Sequence, residues 1–295
     1  MRERNLPPPL LLEYLISPPI ISQLYAAGLG TSQDIIHGPF FLLAFLIFPT
    51  IGLGHTMWLN LSNYYPEVGG KSVAYFGWGH RFPVDDLFDS ERYLKSFYLI
   101  SPSGQVEELK PNPGGFGATE LRFPMEGTYI LAAEMKPGFY TMYLEEGKIH
   151  HKAAPKTGLK NVILSLYYEQ YAKAIINVGR GPGSLSKPLG HKLEIIPLEN
   201  PANLKGCGGH FMTVQVLFDG KPLRYCRVLA TYNGFSTGDD FAYATTADGR
   251  GKARIRLIHW GQWMIKVNHR VPPTEELRDK CDFLSYTATL TFEVR

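Results

Sequence analysis

The chain has 295 residues, of which 44% are hydrophobic and 13% aromatic, enough for a packed core larger than one ordinary domain needs. Its formal charge is only +3, from 30 Lys+Arg against 27 Asp+Glu, so the composition gives no reason to expect a nucleic-acid partner or an electrostatic membrane patch. The 30 Gly, 22 Pro and 17 Tyr indicate many turns and β-structure rather than a helical bundle.

The first feature along the chain is an apolar run at residues 39–48, followed by Gly52 and Gly54, which supply small residues for a cleavage site before His55. About ten apolar residues are too few to cross a bilayer as a helix, but they suit the central region of a signal peptide. We therefore predict a leader over residues 1–54, a mature chain that begins at His55, and a periplasmic or other extracytoplasmic location. Residues 1–36 form a longer and more acidic start than a signal peptide has, which indicates an over-long start of translation. The alternative is an uncleaved membrane anchor.

After the leader, short runs rich in Val, Ile, Tyr and Phe alternate with clusters of Gly, Pro and Ser, a pattern typical of a β-sandwich. We predict an N-terminal β-sandwich over residues 55–178, with strands at Ser72–Phe76, Lys95–Ile100, Thr119–Phe123, Thr128–Met135 and Phe139–Leu144. Apolar residues between 164 and 178 recur at spacings of four and three, the period of a helix. This spacing predicts a short helix near 161–172, although residues 174–178 fit a strand equally well.

The Gly/Pro-rich segment 179–190 is the best linker in the chain, and a second domain is predicted over residues 191–295. Its strands are predicted at Leu193–Pro197, Phe211–Phe218, Tyr225–Tyr232, Phe241–Thr246, Lys252–Leu257, Trp263–Asn268 and Ser285–Val294. Seven strands in such a length fit an immunoglobulin-like or transthyretin-like sandwich. Asp219-Gly220 and Asp248-Gly249 are hairpin signals, and the first is expected to pair the strands on either side of it.

Three cysteines occur in this second domain, at Cys207, Cys226 and Cys281, and none has CxxC spacing. One disulfide with one free thiol and three separate thiols are equally consistent with the sequence.

Several segments resemble the DUF4198 family, and the resemblance extends over residues 55–295. The segments are HTMWLN (55–60), FGWGHRFPVDD (76–86), VLFDGKPL (216–223), TADGRG (246–251), GQWMIKVNH (261–269) and YTATLTFEV (286–294). Members of that family are exported proteins associated with nickel or cobalt uptake systems. The resemblance therefore implies an extracytoplasmic component that handles a divalent metal, with a membrane metal-uptake transporter as its partner. It supplies no set of catalytic residues.

The predicted mature N-terminus places a free α-amine and an imidazole on the same residue, His55. Together these two nitrogens can chelate Ni(II), Cu(II) or Co(II), and binding weakens in acid because the amine must lose its proton. The alternative is that His55 is only the residue at which the leader is removed.

A second group of candidate ligands follows in the segment 77–86. His80 stands after Gly79, and Asp85 and Asp86 follow five and six residues later, at a spacing that allows them to ligate a metal or to support a ligand. The alternative is a loop histidine bonded to the backbone, with the aspartates capping a short helix. His150 and His151 are further candidates, of which only one can face a shared site because neighbouring residues of a strand point to opposite sides.

No nucleophile elbow, His-Glu-x-x-His motif, phosphate-cradling loop or dinucleotide fingerprint occurs in the sequence. We therefore expect a metal-binding accessory protein that is not an enzyme, with Ni or Co, or else Cu, as cargo. Two other functions stay open. One is a structural or adhesive sandwich that binds protein or glycan without metal, and the other is an oxidative copper enzyme built on the terminal histidine.

Overall fold

The computed structural model describes residues 54–179, 185 and 187–295. The predicted leader, apart from Gly54, lies outside these residues. The described strands are β1 Thr56–Leu61, β2 Lys71–Gly79, β3 Leu94–Ile100, β4 Val106–Glu108, β5 Thr119–Arg122, β6 Gly127–Met135, β7 Gly138–Glu145, β8 Lys148–Lys152, β9 Val162–Val178, β10 Leu193–Pro197, β11 Phe211–Phe218, β12 Lys221–Pro222, β13 Arg227–Tyr232, β14 Tyr243–Thr246, β15 Lys252–Arg256, β16 Gly261–Val271 and β17 Phe283–Val294.

Helical structure in the described residues is limited to α1 (Ser90–Tyr93) and two 3-10 turns at Pro201–Asn203 and Glu275–Leu277. None of these is long or apolar enough to cross a membrane. The all-β prediction is therefore confirmed.

The strands form three sheets. A central sheet of ten strands has the order β14-β13-β16-β17-β9-β6-β3-β4, and β7 and β8 extend it from β9. An N-terminal sheet has the order β1-β2-β5, and a C-terminal sheet consists of β10, β11, β12 and β15. The three cysteines are free thiols, with Cys207 exposed and the other two buried.

The two smaller sheets cover different parts of the central sheet, and each encloses its own hydrophobic core. The difference is visible on β9, where side chains alternate between the two faces. Tyr171 and Ile175 join the core beneath the C-terminal sheet, whereas Ala172, Ala174 and Ile176 join the core beneath the N-terminal sheet. The protein is thus an open sandwich in which one long sheet contributes to two cores.

The seven strands predicted in the second domain are present, and they are arranged as an immunoglobulin-like sandwich. The first, second and fifth of them (β10, β11 and β15) form one layer, and the other four (β14, β13, β16 and β17) form the facing layer. This alternation between layers is the arrangement expected for such a sandwich, so the predicted fold class is confirmed.

The two Asp-Gly turns differ from the hairpins predicted for them. Asp219 and Gly220 both have positive φ, as a two-residue type I′ turn requires, but the strand that follows is only Lys221–Pro222. The chain then crosses to the central sheet, so β11 does not pair with β13. Asp248-Gly249 joins β14 to β15, which belong to different sheets, and it forms a corner rather than a hairpin.

The short helix predicted near 161–172 is wrong, because residues 162–172 lie in strand β9. β9 pairs with β6 and β7 along one edge and with β17 along the other. A central strand that is covered on both faces has apolar residues at odd and even positions alike. In β9 the spacing of these apolar residues coincides with the period of a helix. Burial between sheets thus overrode the local pattern.

The pairing of β9 with β17 spans the predicted domain boundary at 179–190. β9 precedes the boundary and β17 follows it, yet the two pair in parallel from Leu166↔Phe283 to Ala174↔Thr291. The described residues fall within one compact unit, Thr50–Arg295. Whether the two halves can be separated at 179–190 stays a prediction.

Candidate metal centre

Strand β1 places His55 at the rim of the sandwich. The strand lies over the central sheet, where the buried Gln170 accepts a hydrogen bond from the Met57 N–H at 2.8 Å. The same side-chain amide donates to the carbonyl of His55 at 2.7 Å, and the Thr289 hydroxyl donates to the carbonyl of Met57 at 2.9 Å. The backbone on both sides of Thr56 is therefore held by side chains of the sheet below. These bonds fix the position of His55.

Strand β2 runs antiparallel to β1 and delivers His80 beside it. Two glycines make this course possible. A side chain at Gly77 would overlap the indole of Trp58, and one at Gly79, whose φ is +128°, would collide with the Asp85 carboxylate. Gly77 is therefore required by the close contact, and Gly79 by both its close contact and its positive φ. These requirements explain both glycines that stand before His80.

Asp85 closes the loop that carries His80. Its Oδ2 accepts hydrogen bonds from the backbone N–H groups of His80 at 2.7 Å and Arg81 at 3.2 Å, and its Oδ1 accepts from Arg81 Nε at 2.7 Å. Burial alone would raise the pKa of Asp85, but these hydrogen bonds outweigh it and hold the pKa below its usual range. Because both oxygens are engaged, Asp85 shapes the loop and is a poor candidate for a metal ligand.

The imidazoles of His55 and His80 lie against each other at the surface, with ring centroids 5.0 Å apart and ring planes at 73°. Each ring also faces a carboxylate. His55 Nε2 lies 3.4 Å from Asp86 Oδ2, and His80 Nδ1 lies 3.4 Å from Asp239 Oδ2. Because Nε2 of His55 and Nδ1 of His80 are the ring nitrogens nearest to the carboxylates, Nδ1 of the first ring and Nε2 of the second remain as donor atoms.

Partial burial of His55 favours the neutral form of histidine, which is the form that binds metals. Burial lowers the pKa of His55, and the nearby His80 lowers it further, while the charges of Asp86 and Asp85 oppose the shift. A neutral imidazole offers a lone pair to a metal ion, whereas imidazolium does not.

The structure does not bring His150 and His151 to this pair. Both lie on β8, where His151 is opposite Met142, and Met142 is opposite Leu164 of β9. The Gln170 that anchors the start of β1 is six residues farther along the same strand, roughly 20 Å away at 3.3 Å per residue. The prediction that one of these histidines completes the site is therefore not supported.

The predicted helix cap is also placed differently. Asp89, rather than Asp85 or Asp86, caps α1, by accepting a hydrogen bond from the Arg92 N–H at 3.1 Å. Asp86 instead bonds through its backbone, donating its N–H to the Trp78 carbonyl at 2.8 Å. Its side chain is 57% exposed, so its carboxylate is free to face His55.

Sequence reasoning missed Asp239 and Gln170, which lie far from the histidines along the chain. Asp239 stands in the loop between β13 and β14, and Gln170 stands in β9. No motif links either residue to the segment 55–86, and only the packing of the sheets brings them together.

Among the described residues, no three His, Cys, Asp or Glu side chains form a ready-made metal cluster. The pair His55–His80 supplies two imidazole nitrogens, and a third nitrogen is present only if the α-amine of His55 is free. A site of this kind depends on the backbone terminus as well as on side chains.

The arrangement defines an all-β sandwich protein with an accessible histidine pair at the start of β1. The chain belongs to the DUF4198 family: the model described as "Domain of unknown function (DUF4198)" matches residues 53–271. No curated protein matches the chain.

Several solved structures show limited similarity to the chain. The D0-D1 domain of intimin is 12% identical with a TM-score of 0.21, over 81% of this chain and 97% of that one. Fibronectin(III)-like modules of Clostridium thermocellum CbhA are 9% identical with a TM-score of 0.20, over 80% of this chain and 94% of that one. The Escherichia coli adhesin FdeC is 14% identical with a TM-score of 0.19, over 79% of this chain and 62% of that one. At these TM-scores the likeness carries nothing about function.

Proposed function

We propose that this protein binds a divalent transition-metal ion between His55 and His80 and acts as a metal-binding accessory protein outside the cytoplasm. The observation that supports this proposal is the contact of the two rings, with centroids 5.0 Å apart at the surface of the sandwich. Two imidazoles in contact and partly exposed can approach one ion with small rotations, since each metal–nitrogen bond is about 2.0–2.1 Å long.

Removal of the leader before His55 would complete this centre. The free amine and Nδ1 of the same residue would close a chelate ring on the ion, and Nε2 of His80 would supply a third nitrogen. Nitrogen donors of this kind suit Ni(II), Co(II) and Cu(II), whose affinities rise in the Irving–Williams order. Asp86 then supports the His55 ring from its far side rather than ligating the ion, as carboxylates commonly do for metal-bound histidines.

The ion in this proposal is cargo and not a catalytic cofactor. Ni(II) or Co(II) would be held outside the cytoplasm and passed to a membrane metal-uptake transporter. The partial exposure of both rings, with side-chain exposures of 39% for His55 and 31% for His80, supports exchange because the ion would be reachable from solvent.

Calorimetric titration with Ni(II), Co(II), Cu(II) and Zn(II) tests the proposal on protein whose chain starts at His55. We expect His55→Ala and His80→Ala each to weaken binding at least tenfold, equivalent to about 1.4 kcal/mol. Protein that retains Gly54 should also bind more weakly, because its His55 nitrogen is an amide and not an amine.

His259→Ala provides the matched control, since this partly buried histidine stacks on Tyr232 with ring centroids 4.5 Å apart and takes no part in the centre. Equal binding by the proteins that start at Gly54 and at His55 would exclude the chelate. Absence of binding tighter than roughly 10 μM, about −7 kcal/mol, for all four ions would favour a structural or adhesive sandwich.

A further inference from the structure

One contact at the histidine pair comes from the other half of the protein. His80 Nδ1 lies 3.4 Å from Asp239 Oδ2, and Asp239 belongs to the loop 233–242 of the immunoglobulin-like sandwich. No motif in the sequence points to this residue. A carboxylate of the second sandwich therefore lies beside a candidate ligand on the first.

The loop that carries Asp239 is held on both sides of that residue. On one side, Ser236 donates its hydroxyl to Asp240 Oδ2 at 2.8 Å and accepts the Gly238 N–H at 2.9 Å. On the other side, Phe241 packs against a small apolar cluster of Trp58, Phe82 and Met264. Asp239 is thus presented to His80 by a loop whose neighbouring residues already have partners.

The cluster beneath the loop also joins the two halves. Trp58 belongs to β1, Phe82 to the loop after β2, and Met264 to β16, and the rings of Trp58 and Phe82 lie 6.1 Å apart. The Trp58 indole donates to the Pro83 carbonyl at 2.9 Å, which holds the loop of His80 on the same cluster. Because the loop of Asp239 and the loop of His80 share one apolar base, the distance between the two side chains is set by packing.

We infer that Asp239 is a positioning residue of the metal centre, holding the proton of His80 on Nδ1 and thereby directing Nε2 to the ion. This inference rests on the proposed metal binding. A carboxylate on the far nitrogen of a ligating histidine fixes the tautomer and the ring orientation and makes the ligand more basic. Asp86 stands in the same relation to His55, so each of the two rings would have one carboxylate behind it.

Substitution of Asp239 can be compared with an adjacent change of the same kind. Asp239→Asn and Asp240→Asn each remove one negative charge from the same loop, but Asp240 faces Ser236 and not a histidine. We expect Asp239→Asn to weaken Ni(II) and Cu(II) binding by 10- to 100-fold, the usual effect of losing such a partner, and Asp240→Asn to change it less than threefold. Asp239→Glu should restore part of the loss.

A spectroscopic measurement separates positioning from a general loss of structure. The electron paramagnetic resonance spectrum of the Cu(II)-loaded protein should change its hyperfine splitting in Asp239→Asn and stay as in wild type in Asp240→Asn, with urea midpoints of the two variants alike. Equal affinities and spectra for the two variants would overturn the role of Asp239, even if His55→Ala and His80→Ala abolish binding. Wild-type protein that binds none of the ions would overturn the proposed function itself, and this inference with it.

Discussion

At the scale of single residues, histidines of this chain occupy opposite environments. His55 and His80 are partly exposed and face carboxylates. His191 is buried instead, stacked on Tyr171 with ring centroids 5.0 Å apart, and its Nε2 lies 3.1 Å from the Tyr98 hydroxyl. Its Nδ1 has no hydrogen-bond partner among the described residues. The first two are accessible from solvent, whereas His191 belongs to the packing between the halves.

The buried histidine should make stability depend on pH. Burial, and then the positive charge of Lys173, lower the pKa of His191 to about 4, whereas an unfolded histidine has a pKa of about 6.5. The unfolded chain therefore binds the extra proton first, so stability is full above pH 6.5 and falls as the pH drops from 6.5 towards 4. The loss is roughly 3 kcal/mol in total, at about 1.4 kcal/mol per pH unit.

Urea unfolding at pH 6.5, 5.5 and 4.5 checks this dependence, with His191→Gln as the comparison. Carboxylates contribute to acid sensitivity equally in both proteins, so the difference between the two isolates His191. Parallel decreases in the two proteins over this range would show that His191 is not the source.

At the scale of elements, β1 is the strand that positions His55 at the candidate site. It is paired with β2 along one edge, and its backbone is bonded from below by the side chains of Gln170, Thr289 and Thr291. Side-chain-to-backbone bonds of this kind satisfy groups of the strand that would otherwise be buried without partners. The start of β1 is consequently as well anchored as its middle.

Gln170→Leu should disturb both the strand and the metal centre. The substitution keeps the approximate volume but leaves the Met57 N–H and the His55 carbonyl without their partner, and one unsatisfied buried group costs about 1–3 kcal/mol. We expect a loss of stability in that range in urea unfolding, together with weaker metal binding by calorimetry.

The opposite end of β1 offers a control. Gln262 donates to the Leu61 carbonyl at 3.3 Å, so Gln262→Leu removes one long hydrogen bond far from His55. Metal binding should be unchanged in this variant. If both variants bind metal as wild type does, anchoring of the terminus by Gln170 is not needed for the centre.

At the scale of the whole molecule, the two halves are joined by more than the chain. β9 pairs with β17 across the boundary, and a buried ion pair joins Lys173 of β9 to Glu194 of β10, with Nζ 2.8 Å from Oε1. Glu194 also accepts the N–H groups of Leu189 and Gly190. Removing one member of such a buried pair would leave an uncompensated charge in the interior, so the contact favours a fixed arrangement of the halves.

Limited proteolysis should nick the Gly/Pro-rich segment 179–190 first and leave two protected fragments. Because the β9–β17 ladder joins the halves, we expect the fragments to stay together in size-exclusion chromatography and to separate only in denaturant. Fragments that separate in buffer would indicate two independent domains, and initial cleavage elsewhere would exclude 179–190 as the linker.

The sequence by itself determined the elements whose signals are local. Alternating β-branched and aromatic residues placed the strands of the second sandwich within a few residues of their observed bounds, and the FGWGHRFPVDD segment identified the family. Candidate ligands His55 and His80 were also found from local signals, His55 from the leader predicted before it and His80 from the glycines before it and the aspartates after it.

Only the tertiary structure decided what depends on contacts distant in sequence. β9 is a strand because sheets cover both of its faces, although its spacing is that of a helix. Asp85 closes a loop, His150 and His151 lie on a remote edge, and Asp239 and Gln170 reach the histidine pair from other parts of the fold. Local pattern fixes neither the partner of a strand nor the neighbour of a side chain, because both are set by how the sheets stack on one another.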